Sequence, residues 1–136
     1  MSTVMSPYLN FDGNAREAMT FYQEVFGGQL DLVTFAQFGF AEAPADGIMH
    51  ASLTTDSGFV LMASDTMPDH PRVLGDAISV SLAGEDAPSL REYWSRLSDG
   101  ANVVMPLERQ VWGDEYGQLV DRYGVPWMIN INGAQA

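Results

Sequence analysis

Residues 112–131 read Trp112-Gly113-Asp114-Glu115-Tyr116-Gly117-Gln118-Leu119-Val120-Asp121-Arg122-Tyr123-Gly124-Val125-Pro126-Trp127-Met128-Ile129-Asn130-Ile131. Val, Trp, Tyr and Leu side chains favour extended chain over the run 111–120, which Gly113 and Gly117 punctuate. Asp121-Arg122-Tyr123-Gly124 then spells a tight turn, with Gly124 free to take positive φ. A proline can open a strand but cannot sit in its middle, so the apolar run 126–131 reads as a buried final strand beginning at Pro126. The stretch is a β-hairpin that closes a sheet.

The remainder of the chain supplies the other strands. Residues 7–11 alternate polar and apolar side chains, as a half-buried strand does. Asp12-Gly13-Asn14 is a turn, with Asn14 placed to cap the helix that follows. Ala15, Ala18, Met19, Tyr22, Val25 and Phe26 recur at helical spacing, and Gly27-Gly28 ends that helix. Strands are expected over 30–35, 48–54 and 59–63, the last two joined at Asp56-Ser57-Gly58. The aperiodic stretch 36–47 reads as a loop over the mouth of a site.

A proline-marked linker over 65–75 follows, and then the pattern repeats. A strand is expected over 78–82. Asp86-Ala87-Pro88 opens a helix whose apolar face is Leu90, Tyr93, Trp94 and Leu97, and Asp99-Gly100 ends it. A shift of 71 residues lays Phe11, Met19, Tyr22 and Phe26 on Leu82, Leu90, Tyr93 and Leu97, and the turns at Asp56 and Asp121 take matching places. The fold class is α+β: two βαβββ modules in a single domain, 1–136, with module one over about 4–64 and module two over about 76–132.

Composition excludes several functions. No cysteine is present, so disulfide and thiolate chemistry are absent. Eighteen acidic residues face six basic ones, all arginine, for a net charge of −12. A field of that sign repels nucleic acid and anionic lipid. No apolar run reaches membrane-spanning length, and the first residues show no secretion signal, so a soluble cytoplasmic protein is expected.

The pattern Trp112-Gly113-x-x-Tyr116-Gly117-x-x-x-Asp121-x-x-Gly124-x-x-Trp127 resembles the closing segment of the PhnB-like family of the vicinal-oxygen-chelate superfamily, relatives of glyoxalase, bleomycin-resistance and dioxygenase proteins. Pro7-Tyr8-Leu9-Asn10-Phe11-x-Gly13-Asn14 with Phe26-Gly27-Gly28 resembles its opening. His50-Ala51-x-Leu53 and Ser64-Asp65-x-x-Pro68 resemble its middle. The resemblance covers essentially the whole chain. It implies sheets curled into a cup and, commonly, a homodimer.

Metal-dependent members of that superfamily hold an ion on four strands through His, Gln or Glu. Carried over by strand register, those places fall near Ser6, Met62, Ala77 and Met128, none of which suits a catalytic divalent ion. No metal and no other cofactor is therefore expected. His50 is a hydrogen-bonded histidine in or beside the pocket before it is a ligand, and His70, between prolines, is a surface residue. Glu108 and Glu115 read as solvated charges or as partners of Arg109 or Arg122. The methyltransferase label that PhnB-like sequences carry finds no glycine-rich strand–helix turn here.

Strand parity puts Tyr8 and Asn10 opposite Leu9 and Phe11, with Ser79 and Ser81 as their counterparts. The candidate ligand-binding residues are Tyr8, Asn10, His50, Ser79, Trp112, Tyr116 and Met128, while Trp127 belongs to the core. Together they imply a metal-free protein that binds a small organic ligand. The alternative is a metal-dependent glyoxalase-like lyase, isomerase or dioxygenase built around His50.

Overall fold

The computed structural model describes residues 3, 5–39, 44, 46–67 and 69–133. Residue 4 at the start of module one, positions 40–43 and 45 of the expected loop, and Pro68 of the linker lie outside the described residues. Contacts divide the chain into two compact units, Met1–Val73 and Leu74–Ala136.

In the first unit, β1 (Tyr8–Phe11), α1 (Ala15–Phe26), β2 (Gln29–Thr34), β3 (Ile48–Thr54) and β4 (Val60–Asp65) form a four-stranded sheet in the order β1-β4-β3-β2 with a helix. β1 runs parallel to β4, and the other neighbours are antiparallel. The second unit repeats the topology. β5 (Val80–Gly84), α2 (Ala87–Leu97), β6 (Asn102–Arg109), β7 (Glu115–Val120) and β8 (Pro126–Ile131) give the order β5-β8-β7-β6, with β5 parallel to β8. The fold is α+β, two βαβββ modules each with its own mixed sheet.

The helices cover one face of each sheet. Ala15, Ala18, Met19, Tyr22 and Val25 of α1 are buried, as are Phe11, Ala51, Leu53, Leu61 and Ala63 on the strands. In the second unit Leu82, Leu119, Trp127 and Ile129 are buried together with Leu90 and Leu97 of α2. These residues alternate along their strands, so the two-residue period fixes which side chains face away from the helix.

Several expected bounds move, each for a local reason. β2 stops at Thr34, because Phe35 turns inward and leads a short 3₁₀ turn, Ala36–Phe38, where a loop was expected. Asp65 is the last residue of β4, paired with Phe11, and not the start of a linker. β5 begins at Val80, leaving Ile78 and Ser79 exposed before it. Residues 111–114 form a turn closed by Gln110 N–H to Asp114 O at 2.7 Å, so the extended run starts at Glu115. β6 has almost no buried side chain, which is why no alternation announces it.

Helix capping also differs. Asn14 precedes α1 as expected, but its side chain makes no capping bond. The Asp65 carboxylate does that work from β4, accepting from Gly13 N (3.0 Å), Ala15 N (2.9 Å) and Ile48 N (2.9 Å). Asp86 caps α2 directly, accepting from Ser89 N.

The Asp121 turn joins β7 to β8 around a buried carboxylate. Asp121, 4% exposed, accepts from Tyr123 N (2.8 Å) and Val125 N (3.0 Å) through Oδ1, and from Trp127 Nε1 (2.8 Å) through Oδ2. Gly124 N donates to Asp121 O with Gly124 at φ 89°, a conformation open to glycine. In the first unit Thr55 takes the same place: it is buried, its Oγ1 accepts from Phe59 N, and its backbone bonds Phe59 and Gly58. Gly117, next door on β7, admits the Trp94 ring; a Cβ there would stand 2.7 Å from Trp94 Cη2 and 2.9 Å from Leu107 Cα.

Replacing Asp121 with Ala strips the acceptor from three buried N–H groups, at about 1–3 kcal/mol for each donor left unsatisfied. Urea unfolding should show a loss of about 3 kcal/mol or more. A loss below about 1 kcal/mol would mean that those donors find other acceptors.

Candidate functional site

The face of the first sheet opposite α1 carries two rows of side chains. Register sets Tyr8 beside Met62, Met62 beside Ser52 and Ser52 beside Asp31. The next row runs Asn10, Ser64, His50 and Val33, since Asn10 pairs with Ser64, Val33 with His50, and Ala63 with Ala51 one step along. Tyr8 stands on β1 and His50 on β3, with β4 between them. Strands lie about 4.8 Å apart, so two spacings separate them and both side chains lean over β4 to meet. Tyr8 Oη and His50 Nδ1 share a hydrogen bond of 2.9 Å, with ring centroids 5.7 Å apart and 34° between the ring planes. Tyr8 is 48% exposed and His50 half-buried.

In the second unit, the face opposite α2 carries Ser81, Met128 and Gln118 in one row and Asn130 beside Tyr116 in the next. Gln118 Nε2 donates to Tyr116 Oη at 2.7 Å. Trp112, 58% exposed on the 110–114 turn, meets Tyr116 edge-on at 6.1 Å. The structure thus brings Tyr8 and His50 together, with Asn10 in the His50 row, and separately groups Trp112, Tyr116 and Met128. Ser79 does not join its group: it lies outside β5, and Ser81 holds the row position beside Met128.

The sequence reading missed Met62 as a wall, Ser64 and Gln118, and names Ser81 only as the counterpart of Asn10. The signal for them lay in the repeat. β3, β4 and the turn between them repeat at an offset of 66 residues, which carries Met62 onto Met128 and Ser52 onto Gln118. Registers then match Tyr8 to Ser81, an offset of 73, so the shift of 71 that suits the helices misplaces the first strand by two residues.

The residues do not fit the divalent ion of the metal-dependent superfamily members. Met62 and Met128 sit in the central strands β4 and β8 as neutral thioethers, and Ser6 and Ala77 precede β1 and β5. Among the described residues no three His, Asp or Glu stand together where a metal could be held. Thioethers suit soft ions and not zinc, iron(II) or manganese with an open position.

The ion pairs lie elsewhere. Glu115 is bound by Arg91 of α2, not by Arg109 or Arg122, while Arg122 pairs with Asp99 at 2.7 Å and Arg96 with Glu92 at 2.8 Å. His70 Nδ1 lies 3.0 Å from exposed Asp69, a surface pair. A cavity of about 660 Å³ opens in the first unit among Asp12, Asn14, Arg16, Phe35, Asp46 and Met67. A smaller one of about 440 Å³ opens in the second among Glu85, Arg91, Arg109, Glu115 and Asn132. Neither is lined by the candidate ligand-binding residues.

Two carboxylates tie loops to the sheets and titrate accordingly. Asp12 is held below its ordinary value by bonds from Thr66 and from Arg72 N–H. Asp114 is held below 3.8 by the Gly133 N–H at 2.8 Å and then by the Asn130 amide at 3.0 Å. A carboxyl whose folded value is depressed stabilises the fold above its unfolded value and loses that contribution as pH falls through the folded one. The Asp114 tie therefore contributes in full above the ordinary carboxylate range and is lost as pH falls through its depressed folded value. The Gly133 amide resonance should titrate in that acidic window, and the titration should vanish in Asp114→Asn. A Gly133 amide that does not respond would show that the bond does not govern this strand end.

A family model described as 3-demethylubiquinone-9 3-methyltransferase matches residues 3–130. The chain is similar to protein PA1353 from Pseudomonas aeruginosa, at 37% identity and a TM-score of 0.82 over 98% of this chain and 100% of that one. It is similar to a PhnB protein from Bacillus cereus, at 25% identity and a TM-score of 0.77 over 95% and 99%. A glyoxylase/bleomycin resistance protein/dioxygenase domain from Frankia sp. EAN1pec shares the fold, at 15% identity and a TM-score of 0.66 over 97% and 98%.

Proposed function

We propose that this chain, which belongs to the family described as 3-demethylubiquinone-9 3-methyltransferase, binds a small organic molecule without a metal on the sheet face that carries Tyr8, Asn10 and His50. The observation that supports this reading is the Tyr8–His50 hydrogen bond, which gathers a phenol and an imidazole on the face away from the packed core. Around the pair lie the Asn10 amide, the Ser52 and Ser64 hydroxyls and the Met62 thioether, a mix of apolar wall and directional polar groups suited to a small ligand. Trp112, Tyr116 and Met128, with Ser81 in place of Ser79, are the matching ligand surface of the second unit.

Methyl transfer is not part of the proposal. A methyl-donor nucleotide would be expected at a glycine-rich strand–helix turn of a doubly wound sheet. Both sheets here are antiparallel except at β1–β4 and β5–β8. The reading also has the protein act as a cytoplasmic homodimer. β6 is an edge strand with Val103, Val104 and Met105 exposed, and such edges are commonly covered. No described helix is long and apolar enough to cross a membrane.

Elemental analysis of the purified protein tests the metal-free reading. Close to one zinc, iron or manganese per chain, lost in His50→Ala, would overturn it. Native mass spectrometry tests the site: Tyr8→Phe and His50→Gln should change stability by no more than about 0.5 kcal/mol, as surface substitutions do, while reducing any co-purified small molecule. Retention unchanged in both variants would place the ligand elsewhere.

A further inference from the structure

We infer that Tyr8 fixes His50 as the tautomer that carries its proton on Nε2, and that this N–H receives a neutral ligand through a carbonyl oxygen. The inference rests on the sheet-face reading above. Of the two groups sharing the 2.9 Å bond, the phenol O–H is the better donor and the imine nitrogen of a neutral imidazole the better acceptor. The phenol therefore donates to Nδ1. The imidazole proton is left on Nε2, since a neutral ring donates through one nitrogen and accepts through the other.

Nothing described consumes that donor. Within its own row His50 is flanked by Val33, which is apolar, and by Ser64. Asp31, the carboxylate of the adjacent row, accepts from Gln29 Nε2 at 3.2 Å. Among the described residues no hydrogen bond reaches His50 Nε2. A donor held on an open face, with the Asn10 amide and the Ser64 hydroxyl in the same row, calls for an acceptor on the ligand.

Charge selects the kind of acceptor. Neither row contains an arginine, Asp31 is the one formal charge in them, and the chain carries −12 overall. Arg72 stands at the edge of β1, where its guanidinium donates to the Asn10 carbonyl at 2.9 Å and lies over the Phe11 ring. A carboxylate or phosphate would therefore meet repulsion that no cation within the two rows offsets. A cationic ligand would leave the His50 N–H without an acceptor. The Tyr8 ring, Met62 and Val33 add flat and apolar surface, so the group that fits is an amide or ketone oxygen on an aromatic or conjugated body.

Two-bond ¹⁵N–¹H correlation spectra of the intact protein at neutral pH report the tautomer directly, with His50 assigned by its loss in His50→Gln. The wild type should show the Nε2–H form, and Tyr8→Phe a mixture of the two forms. Three probes, benzamide, benzoate and benzylamine, are then titrated while the His50 and Met62 signals are followed. Benzamide should bind at least roughly tenfold more tightly than the other two, about what one hydrogen bond supplies, and should shift His50 Nε2. An Nδ1–H tautomer in the wild type overturns the inference. So does the expected tautomer with benzoate or benzylamine bound as well as benzamide. If no probe moves His50, Tyr8 or Met62, the sheet-face reading itself fails, whichever tautomer is found.

Discussion

A carboxylate buried at the end of a strand, with three N–H groups aimed at it, is the constraint on which the second unit depends. Asp121 ends β7, reverses the chain through Gly124 and grips the indole of Trp127 on the strand that returns. Because the register of β7 on β8 is set at this turn, every side chain farther along inherits its face from it. A slip of one residue would drive Met128 and Asn130 into the core and Trp127 and Ile129 out of it. The first unit meets the same demand with a neutral group, the Thr55 hydroxyl, and places its three-donor carboxylate at the far end of β4, where Asp65 joins β1, α1 and β3. The two halves share a topology and divide the same work between different residues.

That division explains what the sequence announces and what it conceals. Helix α1, β3 and β8 stand at their expected bounds, because each carries a complete periodic pattern with a terminator: Gly27-Gly28 after α1, Asp56-Ser57-Gly58 after β3 and Pro126 before β8. Strand β6 has no pattern to read, being exposed along nearly its whole length on the sheet edge. Asp65 resembled a loop residue because acids beside prolines usually are; its three donors come from positions 13, 15 and 48, which adjacency in sequence cannot reveal. Asn14 is the converse case, a good local cap displaced by a distant one.

The candidate site was legible in its face but not in its partners. Strand parity alone separates Tyr8 and Asn10 from Leu9 and Phe11, and His50 from Ala51. Parity cannot say which residue of one strand lies beside which of the next. That depends on register, and the duplicated sequence gives two conflicting offsets, one for the helices and another for β3 and β4. Ser79 was placed by the helix offset and Ser81 occupies the position in the sheet. The two-residue error is even, so it preserves the face while misplacing the row.

The Tyr8–His50 contact spans β1 and β3 across β4, and that geometry bears on how the face could serve a ligand. Two side chains that lean toward each other over an intervening strand are held by one another, so little of their rotamer freedom remains to be lost when a third group arrives. A lone histidine on an exposed strand would have to surrender that freedom at binding. The corresponding place in the second unit is Tyr116, whose hydroxyl accepts from Gln118 on its own strand, two residues along. There the polar contact runs along β7 and leaves the neighbouring strand β8 uncovered by it. The duplication has therefore kept the scaffold and changed the reach of the polar pair, which bridges strands in the first unit and runs along one strand in the second.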